Sequence, residues 1–318
     1  MIDLAIQVVT LTVSLLVLAL AGHFTIRWVE DFIEFSGFSE ASVGFAVLSV
    51  MTSTPEMTVA VFSVLQGAPG VSVGDILGSN VANIGLVVGI MALIAPLEAC
   101  CTDLLTEMVD VLFLSSLIPI LLVVFGVLSP FVGVLLFGVF AYTIYLMVRG
   151  KSPASVDEET VADKGVTIER PKERNRKAIL AKMVGGLAIV IVAARFAVST
   201  ASDIATLLGV PPILIGAKIV AVGTSLPELV LNISAVRRGR PRLALGNAVG
   251  SNLTNLTLIL GVVLLTSPFT VDLTIFTETL PFLLISTLFL WRSLTKGGVS
   301  KLTGILLLMT YVVFLAVL

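Results

Sequence analysis

The chain has 318 residues, of which 57% are hydrophobic and only 13% charged, with a net charge of −2 and a mean hydropathy of +1.10. Soluble domains carry about 25% charged residues, so this composition excludes a soluble globular protein and a disordered one, and belongs in lipid. The two cysteines, Cys100 and Cys101, are neighbours and cannot form a disulfide framework.

Runs of about 20 apolar residues span a bilayer. In chain order there are ten, over 2–24, 40–65, 71–95, 104–127, 130–149, 179–206, 212–236, 243–266, 273–291 and 302–318. No basic segment precedes the first, which reads as a span rather than a cleavable leader. Between the fifth and sixth lies a polar stretch, 150–178, with Pro and charges of both signs and no apolar period. It reads as a linker between a first half, 1–149, and a second, 179–318. An odd number of spans in each half inverts the second relative to the first. The expectation is an all-α membrane protein of ten transmembrane helices in two inverted five-helix repeats.

Basic residues set the orientation. They gather between Arg149 and Lys182, at Arg237, Arg238, Arg240 and Arg242, and at Arg292, Lys296 and Lys301. In the ten-span layout all three groups share one side, which the positive-inside rule makes cytoplasmic, with both termini outside. The 97–110 connection falls on that side too. It is acidic, at Glu98, Asp103, Glu107 and Asp110, and acidic residues count little in the rule.

Within the two halves, Ser42–Pro96 and Leu214–Pro268 match without a gap at an offset of 172, with 18 of 55 pairs identical. The identities include Thr52/Thr224, Ser53/Ser225, Pro55/Pro227, Glu56/Glu228, Gly78/Gly250, Ser79/Ser251, Asn80/Asn252 and Asn83/Asn255. Interrupted apolar segments at corresponding positions of two halves point to a transporter's binding site.

The chemistry follows from the residue types. A mid-span proline removes a backbone N–H and disturbs the helix before it, so carbonyls near Ser49 and Ala221 are expected to be freed. A charged carboxylate in mid-membrane costs about 2.5–3.5 kcal/mol on insertion scales, so Glu56 and Glu228 are either functional or protonated, and their recurrence at the same depth in both copies favours function over a kink with a glutamate bonded to a neighbouring span. Two carboxylates with hydroxyls and carbonyls make a hard, all-oxygen site suited to Ca²⁺ or Na⁺, with nothing soft for zinc or copper. Further on, Asp75, Ser79 and Asn83 lie four apart on one helix face, as do Asn247, Ser251 and Asn255. Gly74, Gly78, Gly246 and Gly250 have the spacing that brings helices close. Asp75 lies two turns before Asn83, about 12 Å outward at 1.5 Å per residue. It is therefore expected to line the external passage and concentrate cations there, unless it pairs with a basic residue such as Lys218.

These residues resemble the α-repeats of the calcium/cation antiporter superfamily, in its sodium/calcium exchanger branch. Gly223-Thr-Ser-Leu-Pro-Glu228 and Gly246-Asn-Ala-Val-Gly-Ser-Asn252 carry the resemblance, and the layout extends it over the whole chain. In prokaryotic members a compact cluster takes three Na⁺ or one Ca²⁺ in turn. The resemblance implies that role for Thr52, Ser53, Glu56, Ser79, Asn83, Thr224, Ser225, Glu228, Ser251 and Asn255, with the carbonyls of Ser49 and Ala221. It also implies that spans one and six form a long pair sliding across the bundle. Met51 stands where the signature has Gly, Thr54 where it has Leu, Asp75 where Asn is usual, and Asn255 where archaeal relatives often have Asp. Lys218 sits where an uncharged residue is usual.

His23, the single histidine, reads as an interfacial residue. Lys218 and Ser225, seven residues apart, lie about 10 Å apart along a helix, too far for a hydrolase dyad. The expected protein is no enzyme and needs no cofactor. It exchanges Na⁺ for Ca²⁺ by alternating access, electrogenically if three Na⁺ move per Ca²⁺. Its partners are the ions and the bilayer of a prokaryotic cell membrane, with no nucleic acid and no evident obligatory protein partner. A proton- or other-cation-coupled divalent exchanger for Ca²⁺ or Mg²⁺ is the alternative, and a passive cation channel a further one.

Overall fold

The computed structural model describes residues 2–36, 38–65, 69–95, 97–98, 102–120, 130–149, 176–208, 221–266 and 273–317. Cys100, Cys101, Lys218 and nearly all of the 150–178 linker lie outside them.

The first repeated segment begins after a long helix, α1 (Ile2–Ser36). A short helix, α2 (Glu40–Val43), is capped by Ser39, whose hydroxyl accepts from the Ser42 amide at 3.1 Å. A π-helical turn (Gly44–Leu48) and α3 (Ser49–Thr52) follow. Ser53 breaks the helix, and α4 (Thr54–Leu65) restarts with Pro55 in its first turn. There the missing N–H costs nothing, because first-turn amides have no intrahelical partner. The same device recurs in α10 (Ala221–Thr224), Ser225 and α11 (Leu226–Arg237) with Pro227. Each second arm opens on a proline and contains a π-helical turn. One runs α5 (Pro69–Ala82), turn Asn83–Val88, α6 (Gly89–Ile94). The other runs α12 (Pro241–Leu253), turn Thr254–Ile259, α13 (Leu260–Thr266). The remaining helices are α7 (Asp103–Ser116), α8 (Pro130–Arg149), α9 (Arg176–Leu207), α14 (Leu273–Leu294) and α15 (Lys301–Val317). Apart from one two-residue antiparallel pair, Leu97–Glu98 with Gly298–Val299, the described residues are helical or in turns.

Five segments are long and apolar enough to cross a membrane: Ile6–Glu34, Glu40–Val61, Ser72–Ile94, Lys177–Ala197 and Pro241–Thr266. Pro130–Leu146, Thr279–Leu294 and Lys301–Val317 are shorter apolar helices. The protein is an all-α integral membrane protein. The spans differ from the sequence limits mainly at their ends. The first helix continues past residue 24 to Ser36, so Arg27, Glu30, Asp31 and Glu34 belong to its last turns rather than to a connection. The sixth begins at Arg176, inside the expected linker.

The two inner arms form the centre. Ser72–Ile94 and Pro241–Thr266 are each 83% buried, against 28% for Ile6–Glu34 and 39% for Lys177–Ala197. Every residue from Leu243 to Leu253 is buried, so beyond its first two residues α12 has no exposed face. Its contact with the first repeated segment is backbone on backbone. A Cβ on Gly246 would meet the Ala41 carbonyl oxygen at 2.5 Å, and one on Gly250 would meet the Phe45 Cα at 2.8 Å. Small residues permit this approach, and close packing replaces the hydrophobic drive that lipid does not supply. The long helices α1 and α9 instead pack along each other and turn Leu16, Leu20, Val192 and Phe196 outward.

Three contacts fix which connections share an end of the bundle. Arg238 Nε donates to Glu30 Oε1 at 3.0 Å. Arg240 Nη1 donates to Glu40 Oε1 at 2.6 Å. The Leu97–Glu98 strand pairs with Gly298–Val299.

Candidate functional site

The two helix breaks and the π-helical turns of the two second arms meet in the middle of the bundle. Ser49, Thr52, Ser53, Glu56, Ser79, Asn83, Ser225, Glu228, Ser251 and Asn255 are all at most 2% exposed. Thr224, at the end of α10, is half-buried. Ala221 opens α10.

Hydrogen bonds join the two segments crosswise. Thr52 Oγ1 lies 3.3 Å from Ser251 Oγ and 3.5 Å from Asn247 Oδ1. Asn255 Nδ2 donates to Ser79 Oγ at 3.1 Å. Thr224 Oγ1 donates to Asp75 Oδ1 at 3.4 Å. Asn80 and Asn252 serve another purpose: their amides bond the carbonyls of Ile76 and Ala248, at 2.8 and 2.7 Å, and hold their own helices.

Many oxygens are left over. Both carboxylate oxygens of Glu56 and of Glu228 are buried without a hydrogen-bond partner among the described residues. So are Ser53 Oγ, Ser225 Oγ, Asn255 Oδ1, Asp75 Oδ2 and both polar atoms of the Asn83 amide. The Thr52 hydroxyl lies beside Glu228, short of hydrogen-bond geometry. Glu56 is within electrostatic reach of both Glu228 and Asp75, and no basic side chain among the described residues faces them. A buried polar group without a partner costs about 1–3 kcal/mol, and a charged one more. A cation is the kind of group that would satisfy so many buried oxygens in one place.

Two expectations change. The Ser49 carbonyl is not freed: it accepts from the Ser53 amide at 2.9 Å and from Thr52 Oγ1 at 3.3 Å. Pro55 removes the amide that would have bonded Met51, four residues back, and Thr54 Oγ1 takes that carbonyl at 2.7 Å. The surroundings of Asp75 differ from those read along its own helix, because α10 comes to meet it and puts Thr224 against its carboxylate. Lys218, its other expected partner, lies outside the described residues.

The sequence reading missed Asn232. It lies one turn after Glu228 on α11, is 1% exposed, and accepts from Asn247 Nδ2 at 2.8 Å. An amide on the glutamate's own helix face, in an apolar run, was the available signal.

The sequence model of the sodium/calcium exchanger protein family matches residues 6–149 and 179–318. The chain belongs to the sodium/calcium exchanger family. Members of the family are transporters, not enzymes. Over 347 aligned residues the chain is 30% identical to the sodium/calcium exchanger MaX1 of Methanosarcina acetivorans, covering 97% of this chain and 99% of that one. It is 29% identical to the inner membrane protein YrbG of Escherichia coli over 286 residues, covering 89% of this chain and 87% of YrbG. Among solved structures, the sodium-calcium exchanger NCX_Mj soaked with 100 mM Na⁺ and 10 mM Sr²⁺ matches with a TM-score of 0.82 at 26% identity, over 99% of both chains.

Proposed function

We propose that the buried oxygen cluster around Glu56 and Glu228 is the transport site of this Na⁺/Ca²⁺ antiporter. Family membership and the likeness to exchangers over nearly the full length support the exchanged ions. One observation carries the assignment of the site. Two buried glutamates from the two repeated segments lie within electrostatic reach of each other, with every carboxylate oxygen unpartnered among the described residues. Ca²⁺ takes six to eight oxygens, and carboxylate, hydroxyl and amide oxygens of this kind suit it and Na⁺ alike.

The ligand set in this reading is Thr52, Ser53, Glu56, Ser79, Asn83, Thr224, Ser225, Glu228, Ser251 and Asn255, with backbone carbonyls at Ser49 and Ala221. The Ser49 carbonyl, already bonded twice, would serve as an additional contact. Ser79 and Asn255 hold each other, and Thr52 and Ser251 hold each other, so an arriving ion meets a partly formed cage. Glu56 and Glu228 together neutralise one Ca²⁺. Three Na⁺ would leave one positive charge on them, making exchange electrogenic, at about 2.3 kcal/mol per charge per 100 mV.

The ten spans, and the inversion of 179–318 relative to 1–149 across the 150–178 linker, belong to the same proposal. Pseudo-symmetric contacts support it. Gly89 packs on Gly304, and Gly261, 172 residues after Gly89, packs on Gly133. Glu30 and Glu40 meet 238–240, and 97–98 meets 298–299, pairings that fit the ten-span parity. The basic residues of these connections support placing them on the cytoplasmic side of a cell membrane, with both termini outside. Inverted half-sites at mid-depth suit alternating access rather than a continuous pore.

Radiolabelled Ca²⁺ uptake into Na⁺-loaded proteoliposomes tests the function. Uptake is expected only with an outward Na⁺ gradient. Equal uptake without Na⁺ inside would replace antiport by passive conduction.

A further inference from the structure

We propose that Asp75 is a third carboxylate of the ion site, giving the cluster a formal charge of −3 rather than −2. The inference rests on the site reading above and adds a specificity-determining residue to it.

Asp75 and Asn247 occupy equivalent positions, as do Thr224 and Thr52. Asn247 meets Thr52 across the site, and Asp75 meets Thr224 in the mirrored contact. Both positions therefore face the same cluster from opposite segments. Asn247 is held back by Asn232, which accepts from its amide at 2.8 Å. The residue equivalent to Asn232 is Ala60, buried and without a polar group. The Asp75 carboxylate thus has one donor, Thr224, on Oδ1, while Oδ2 is buried and unpartnered among the described residues.

Charge then decides what completes it. Asp75 is within electrostatic reach of both Glu56 and Glu228. Three carboxylates within electrostatic reach repel one another, and no basic side chain among the described residues stands against them. Cations at the shared centre are the group that relieves this repulsion. An Asp here binds a divalent ion more strongly than an Asn would, through charge that acts in a low-dielectric interior.

The test measures Ca²⁺ and Na⁺ binding to the purified full-length protein by calorimetry, alongside exchange in proteoliposomes. Asp75→Asn is isosteric and is expected to weaken Ca²⁺ binding at least about tenfold, the equivalent of about 1.4 kcal/mol. Because the Coulomb energy scales with ion charge, the Na⁺ midpoint is expected to move only about threefold. A purely structural defect has no reason to follow ion charge. Asp75→Asn combined with Asn247→Asp returns the carboxylate to the mirrored position and is expected to restore most of the Ca²⁺ affinity.

Wild-type Ca²⁺ affinity in folded Asp75→Asn would overturn the proposal. So would equal losses for Ca²⁺ and Na⁺. Repair of Asp75→Asn by Lys218→Gln instead of by Asn247→Asp would also overturn it and assign Asp75 to an ion pair. Glu56→Gln and Glu228→Gln separate the two readings. If they lose Ca²⁺ binding while Asp75→Asn keeps it, the third carboxylate alone fails. If all three keep it, the site reading itself fails.

Discussion

At the 172-residue offset the two repeated segments share Thr-Ser-x-Pro-Glu, a break at Ser53 and at Ser225, and a π-helical turn around Asn83 and around Asn255. They part at the side chains around that frame. The first has Asp75 opposite a bare Ala60, and the second has Asn247 held by Asn232. The frame is constrained by backbone chemistry, since a helix restarted in lipid needs its proline in the first turn and its close crossings need glycine. In the proposed site the polar positions answer to the ion instead. The ion meets the summed charge of the two half-sites, so one segment can carry an aspartate where the other carries an amide.

The comparison can be broken most severely at the frame. Gly246→Ala sets a Cβ against the Ala41 carbonyl oxygen at 2.5 Å, a backbone atom that cannot swing away. Overpacking of this kind costs about 3 kcal/mol or more. Thermal unfolding in detergent is expected to show a large drop or no folded protein.

The polar half of the comparison is sharpened by adding charge to the second segment. Asn255→Asp puts a carboxylate where Asn255 Oδ1 now lacks a partner. Ca²⁺ binding is expected to tighten about tenfold, with Na⁺ competition shifted to match. Unmoved competition curves would put Asn255 outside the ion's reach.

A smaller effect is expected where the segments differ in their supports. Asn232→Ala leaves the Asn247 amide without its acceptor, a loss of about 1–3 kcal/mol of stability. The converse change, Ala60→Asn, offers Asp75 a donor and is expected to weaken Ca²⁺ binding a few-fold, visible by calorimetry.

The smallest effect is expected at the bundle's end. Arg240→Ala removes part-buried ion pairs to Glu30 and Glu40 at the bundle's edge, worth about 1 kcal/mol. Exchange rates and thermal stability are expected to change little.

The membrane class and the burial of Glu56 and Glu228 at matching places in two repeated segments were legible in the sequence, because composition, run length and a gapless repeat carry them. The Ser49 carbonyl was misjudged by counting loosely: a proline removes the partner of the carbonyl four residues back, which is Met51. Asp75 was set outward by measuring along one helix, whereas its contact comes from Thr224 on another, and spacing within a helix cannot report that. Asn232 escaped notice because its equivalent is Ala60, so the repeat did not flag it. The π-helical turns at Asn83 and Thr254 have no simple residue signature, yet they change which side chains face the centre.

The central claim is that Glu56 and Glu228 hold the transported Ca²⁺ between the two segments. It is tested most directly by Na⁺-gradient-driven uptake of radiolabelled Ca²⁺ in proteoliposomes carrying folded Glu56→Gln or Glu228→Gln. The expected result is that each substitution lowers uptake at least about a hundredfold, since each removes one of the charges facing a divalent ion in a low-dielectric interior. Wild-type uptake in either variant would contradict the account and remove that glutamate from the site.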